Sequence, residues 1–206
     1  MFSRAIVLAL ALVASATAFA PANFGARVVR GAALDANVLD TANTLVGPDI
    51  FWGSDGVLEG HDENEIKGQD GFGKFVAACN AAGLGATLAG PGPFTVFAPT
   101  DSAMDAAAAV GRDTTSLAAM QYHVVNGAIS KGSISGDLAT LSGASLTYKR
   151  FARQTFLDDA VVGAVPQGAA TGSSYPVDIQ CDNGVVHAID QVLIPGYSKN
   201  YVETIG

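Results

Sequence analysis

The chain has 206 residues and a mass of 20.9 kDa, enough for one well-cored domain with room for tails. It is 49% hydrophobic and 15% charged with 24 glycines, which excludes a wholly disordered chain and argues against a coiled coil. Its 19 acidic and 11 basic side chains give a net charge of −8 and a pI of about 4.6, the wrong sign for a nucleic-acid partner.

A mean hydropathy of +0.31 raises the question of a membrane span, and the first residues answer it. Arg4 is followed by the apolar run Ala5–Val13 and then by small residues, with Ala16-Thr17-Ala18 fitting a signal-peptidase site. That run is too short for a bilayer core, which needs about 20 residues. Residues 1–18 are therefore read as a signal peptide, and the remainder as peripheral rather than transmembrane. Residues 19–34 hold Arg27 and Arg30 and no acid, the chemistry of an organelle transit segment. The junction Ala18-Phe19-Ala20-Pro21 resembles that of two-part presequences in algae with red-lineage secondary plastids, which implies import into a plastid through the secretory pathway. The alternative is an ordinary signal peptide and a secreted, extracellular protein. None of the asparagines begins an Asn-x-Ser/Thr glycosylation site. Removing residues 1–34 leaves 8 basic against 19 acidic side chains, a mature charge of −11.

Residues 35–65 read as a solvated acidic extension, with Asp49, Asp55, Glu59, Asp62, Glu63 and Glu65 concentrated there. Asp62-Glu63-Asn64-Glu65 lacks the alternating carboxylates of a calcium loop, so no metal is expected. Phe51 and Trp52 stand out in this polar stretch: they either pack back on the domain or anchor a partner.

From residue 66 the pattern is that of a domain. Phe72, Phe75, Val76 and Cys79 fall on one helical stripe that stops at Gly83. After Gly90-Pro91-Gly92-Pro93, the run Phe94–Ala98 reads as a strand ended by Pro99. Thr100, Asp101 or Ser102 caps a short helix through Val110. A second helix begins near Thr114 or Thr115, with Leu117, Met120 and Val124 on one face, and Asn126-Gly127 marks a turn. Leu138, Leu141 and Gly143 lead to a strand at Leu146-Thr147-Tyr148. Residues 163–174 form a Gly/Ala/Ser loop, and 175–180 and 185–194 flank a hairpin turn at Cys181-Asp182-Asn183-Gly184. Helices precede strands, which predicts an α+β domain over 66–196, with 197–206 as a tail, and not a parallel βαβ sheet.

Three blocks in this order resemble the fasciclin domain family. They are Phe94-Thr95-Val96-Phe97-Ala98-Pro99-Thr100-Asp101-Ser102-Ala103-Met104, Tyr122-His123-Val124-Val125-Asn126-Gly127, and Asn183-Gly184-Val185-Val186-His187-Ala188-Ile189-Asp190-Gln191-Val192-Leu193-Ile194-Pro195, with Asp178-Ile179 just ahead of the last. The resemblance implies a wedge of β-sheet with packed helices, and a non-enzymatic adhesion or docking role without a cofactor. In animal members the Tyr-His and Asp-Ile blocks are implicated in receptor binding; by position these are Tyr122, His123, Asp178 and Ile179. Together with Phe51 and Trp52 they are the candidate partner-binding residues. The leader suggests a thylakoid complex as the protein partner. The rival expectations are a secreted matrix-binding protein and a small-molecule or pigment carrier.

No catalytic residues are expected. His123, His187 and Asp190 lack metal-ligand spacing, and no Gly-x-Ser-x-Gly elbow or phosphate loop is present. Both histidines are read as buried rings donating to backbone carbonyls. Cys79 and Cys181 are read as free thiols, a disulfide between them remaining the alternative.

Overall fold

In the computed structural model, residues 36–63, 65–164 and 175–196 are described; the signal, transit-like and tail segments and most of the loop after Gly163 lie outside them. The frame is a mixed four-stranded sheet. Its strands are β3 (Phe94–Pro99), β4 (Val124–Asn126), β10 (Ile179–Cys181) and β11 (Gly184–Ile189), in the order β10-β11-β3-β4. β10–β11 and β3–β4 pair antiparallel, whereas the two central strands run parallel, Phe94 opposite Gly184 through Pro99 opposite Ile189. With one parallel pair among antiparallel neighbours the sheet is mixed, in keeping with an α+β domain and not a parallel βαβ sheet. Both strands are buried along their whole length, which is why they read as near-continuous apolar runs. Close approach at their start explains one glycine: a Cβ on Gly184 would lie 2.0 Å from the Phe94 carbonyl oxygen.

The alternation of the central strands divides the core. Phe94, Val96, Ala98, Val186 and Ala188 face a helical layer: α1 (Val38–Thr44), α3 (Gly73–Ala81), α4 (Gly85–Leu88), α5 (Asp101–Ala109) and α6 (Leu117–Tyr122). Phe97 and Ile189 face a second cluster with Val125, Leu146, Leu157, Val162 and Leu193. That side is built from a two-stranded sheet, β5 (Leu138–Ala139) with β6 (Ser145–Leu146). Beside it is a three-stranded one of β7 (Tyr148–Phe151), β8 (Gln154–Leu157) and β9 (Ala160–Val161). The architecture is α+β.

The helix starts follow their capping residues. Thr100 accepts from the Ala103 N–H and Ser116 from the Ala119 N–H, each closing one orphan donor of a first turn. Asp101 reaches across to accept from the Lys74 N–H at 2.7 Å, so one carboxylate joins the starts of α5 and α3. Asp70 accepts from Gly71 and Ser102 N–H in the same corner.

Three readings need correction. The extension is not a solvated loop: Asn37 caps α1, and Val38, Leu39 and Ala42 are buried in the helical core. The chain also forms β1 (Asp49–Phe51), α2 (Gly53–Leu58) and β2 (Ile66–Gln69), a hairpin with a helical insert. Val124 does not share a helical face with Leu117, because α6 ends at Tyr122 and Val124 enters β4, leaving Leu117 45% exposed. The expected strand through Leu146-Thr147-Tyr148 is broken at Thr147, whose N–H and C=O are both taken by Asp158.

Candidate functional site

Tyr122 and His123 sit where α6 turns into β4, and both are buried, 1% and 0% exposed. The Tyr122 hydroxyl donates to the Asp158 carboxylate at 2.8 Å and lies 3.1 Å from the Ser145 carbonyl oxygen. Burial and that carboxylate push the Tyr122 hydroxyl well above its ordinary pKa, so it remains a donor. Asp158 is itself buried, has a positive φ of 54° and accepts from Thr147. The pair joins the helical layer to the small sheets.

His123 closes a second join. Its Nδ1 lies 2.9 Å from the Ala119 carbonyl, and its Nε2 accepts from the Leu193 N–H at 3.0 Å. These partners define a neutral ring with the proton on Nδ1, which satisfies an orphan carbonyl of α6 and holds the end of the domain. Complete burial lowers its pKa to about 4.

His187 carries the opposite tautomer. Nε2 donates to the Ile129 carbonyl at 2.8 Å and Nδ1 accepts from the Asp178 N–H at 3.1 Å. The ring stacks on Phe97, its register partner on β3, with centroids 5.6 Å apart. Burial lowers this pKa too. Asp178, at φ 57°, accepts from the Lys131 N–H at 2.7 Å. Ile179 is half-buried against the helical core. Asp190, the third residue considered for chemistry, accepts from the Val161 N–H at 2.7 Å.

The four residues of the Tyr-His and Asp-Ile blocks do not form one surface. Residues 122 and 123 lead into β4 and residues 178 and 179 into β10, the opposite edges of the central sheet. Three inter-strand spacings put those edges about 14 Å apart. Asp178 alone of the four is exposed. Among the described residues, no group of three or more His, Cys, Asp or Glu is placed to hold a metal ion. No described helix is long and apolar enough to cross a membrane. Cys79 and Cys181 are free thiols, the first buried with its pKa pushed up to about 12, the second half-buried.

Phe51 and Trp52 lie in the β1–α2–β2 appendage. Trp52 stacks face to face on His61 at 4.2 Å, with the Lys67 ammonium 4.4 Å from its ring centre, so the indole is fixed on the appendage itself. His61 in turn contacts Glu65 at 3.0 Å. Around this cluster Val57 is 53%, Leu58 91% and Ile66 54% exposed, and Glu59, Asp62, Glu63 and Glu65 are exposed beside them in the chain. The base of the appendage is tied down by reciprocal bonds, Gly47 N–H to the Asp70 carbonyl and Asp70 N–H to the Pro48 carbonyl.

Sequence reasoning missed two residues that matter. Asp158 carried no motif, its only signal being an Asp able to turn the chain at positive φ. Asn183 was read as a turn residue, yet its side chain accepts from the Val38 N–H and donates to the Leu88 and Gly90 carbonyls, locking α1 to the sheet.

Comparison with known proteins follows the same frame. A family model described as the fasciclin domain matches residues 70–195. Protein sll1483 of Synechocystis sp. is 38% identical over 137 residues, taking in 62% of this chain and 69% of its own. The uncharacterized protein sll1735 of the same organism is 35% identical over 132 residues, or 61% of this chain and 90% of its own. Periostin of Homo sapiens is 28% identical over 196 residues, which is 88% of this chain but only 20% of periostin. Among solved structures, the FAS1 domain pair from the insect cell adhesion molecule Fasciclin I aligns over 62% of this chain and 48% of that one, with TM-score 0.43 and 16% identity.

Proposed function

The chain belongs to the fasciclin domain family, and on that premise we propose that it is a non-enzymatic protein-docking module whose contact surface is the β1–α2–β2 appendage. The carrying observation is that this appendage, outside the stretch matched by the family model, exposes Val57, Leu58 and Ile66 among four carboxylates. Single exposed aliphatics are ordinary, but several beside an immobilised tryptophan and an acidic rim have the composition of an interface. The partner it fits presents an apolar groove edged by Lys and Arg. Tyr122, His123 and Asp178 act through the elements they hold in place.

The setting we propose is a plastid, with a photosynthetic assembly as host. The leader chemistry at residues 1–34 supports it. Fusing residues 1–45 to a fluorescent protein tests the address: plastid signal is expected, and signal in the medium would transfer the docking role to a secreted adhesion protein. The surface itself is tested by cross-linking mass spectrometry on tagged protein from its native membranes. Cross-links to partner proteins are expected from Lys67. Cross-links confined to lysines elsewhere in the domain would overturn the assignment.

A further inference from the structure

The β7–β8 hairpin departs from everything around it. Lys149, Arg150 and Arg153 lie within five residues of a strongly acidic chain, and no Asp or Glu occurs between Asp137 and Asp158. All three are exposed, and between them Phe151, the last residue of β7, is 74% exposed. Phe151 pairs with Gln154, so the hairpin closes through only Ala152 and Arg153, at φ 48° and 67°.

An ordinary explanation covers part of this. β7 is an edge strand, and cationic side chains on an edge prevent strand addition by another chain. That accounts for Lys149 and Arg150, which lie in the strand. It does not account for a phenylalanine at the tip, nor for Arg153 outside the ladder. A two-residue turn with both residues at positive φ normally takes Asn-Gly, so Ala-Arg is kept here against backbone preference.

We propose that this hairpin tip is a membrane-contact finger, binding the anionic headgroups of a lipid bilayer through Lys149, Arg150 and Arg153 while Phe151 enters the interfacial layer. Charge complementarity selects the occupant, since each cation near an anionic leaflet is worth about a fivefold gain in partition. Shape selects a bilayer over a protein surface. A convex two-residue tip offers far less than the roughly 800 Å² per partner of a stable protein interface, whereas a bilayer yields around a single aromatic ring. The acidic remainder of the chain is repelled by the same leaflet, so contact is confined to the finger and the orientation is set. The proposal is independent of the docking role of the appendage.

Co-sedimentation of the mature chain, residues 35–206, with phosphatidylcholine vesicles, with and without phosphatidylserine, tests it. The variants are Lys149→Gln/Arg150→Gln/Arg153→Gln and Phe151→Ala. The leader, with its apolar run and three arginines, is left out so that binding reports the finger alone. Binding is expected to require phosphatidylserine and to weaken as salt rises. It should fall about 100-fold in the triple variant and about tenfold in Phe151→Ala. Unfolding curves superimposable on the wild type establish that these exposed positions have not disturbed the fold. Equal affinity for neutral vesicles, wild-type affinity in the triple variant, or no vesicle binding by the wild type would each overturn the proposal. The last outcome does so even if the finger then binds an acidic protein.

Discussion

Acidification should unlock the domain through His123, and the size of the effect follows from its burial. The ring is neutral and fully buried between Ala119 and Leu193, with a pKa lowered from 6.5 to about 4. Between those values the unfolded chain binds a proton that the folded chain refuses. The contribution is therefore complete above pH 6.5 and is lost as pH falls toward 4. Two pH units within that window, at about 1.4 kcal/mol each, give a loss of about 2 to 3 kcal/mol by pH ~4.5. His187, also lowered by burial, adds in the same direction, while burial raises Asp159 and Asp190, which act with the opposite sign. The control that isolates His123 is His123→Phe, which keeps a ring against Phe75 and cannot titrate. It leaves the Ala119 carbonyl and Leu193 N–H unpaired, costing roughly 1–3 kcal/mol at neutral pH. Urea unfolding of both proteins at neutral and acid pH is the assay. The variant's deficit should shrink to nothing or reverse in acid; parallel profiles would refute the burial argument.

Three further outcomes follow from the same geometry. Tyr122→Phe removes the hydroxyl donor to Asp158 and should cost about 1.5–3 kcal/mol in urea unfolding, as expected for a hydrogen bond to a buried carboxylate. Asn183→Ala removes the bonds to Val38, Leu88 and Gly90, so amide exchange across α1 should accelerate before the rest of the domain unfolds. Ala152→Asn/Arg153→Gly supplies the turn with residues suited to positive φ and should stabilise the protein by about 1 kcal/mol in thermal unfolding, while weakening vesicle binding through the lost charge.

The parts of the fold legible in the sequence are those set by local chemistry. Thr100 caps α5, Phe75 and Cys79 bury one stripe of α3, and Asn183-Gly184 turns β10 into β11, each readable from a few neighbouring residues. The parallel pairing of β3 with β11 was not legible, because it joins strands separated by most of the domain and rests on burial from both faces. The site was legible by residue but not by role. Tyr122 and His123 stand out in the sequence, yet their isolation inside the core depends on Asp158 and Leu193, which no spacing connects to them. The acidic extension misled for the opposite reason: its charge dominated the reading, while Val38, Leu39 and Ala42 were enough to bury α1 once Asn183 held its first turn.

The central claim is that docking runs through the appendage and not through the signature residues, which are spent on holding the fold. Site-specific photo-cross-linking in the native membranes tests it most directly, with a photoreactive side chain replacing Leu58, which is 91% exposed, or Asp178. The account predicts a defined high-mass protein adduct from position 58 that disappears when Val57 is changed to Glu. An adduct from position 178 alone, with position 58 silent, would contradict it.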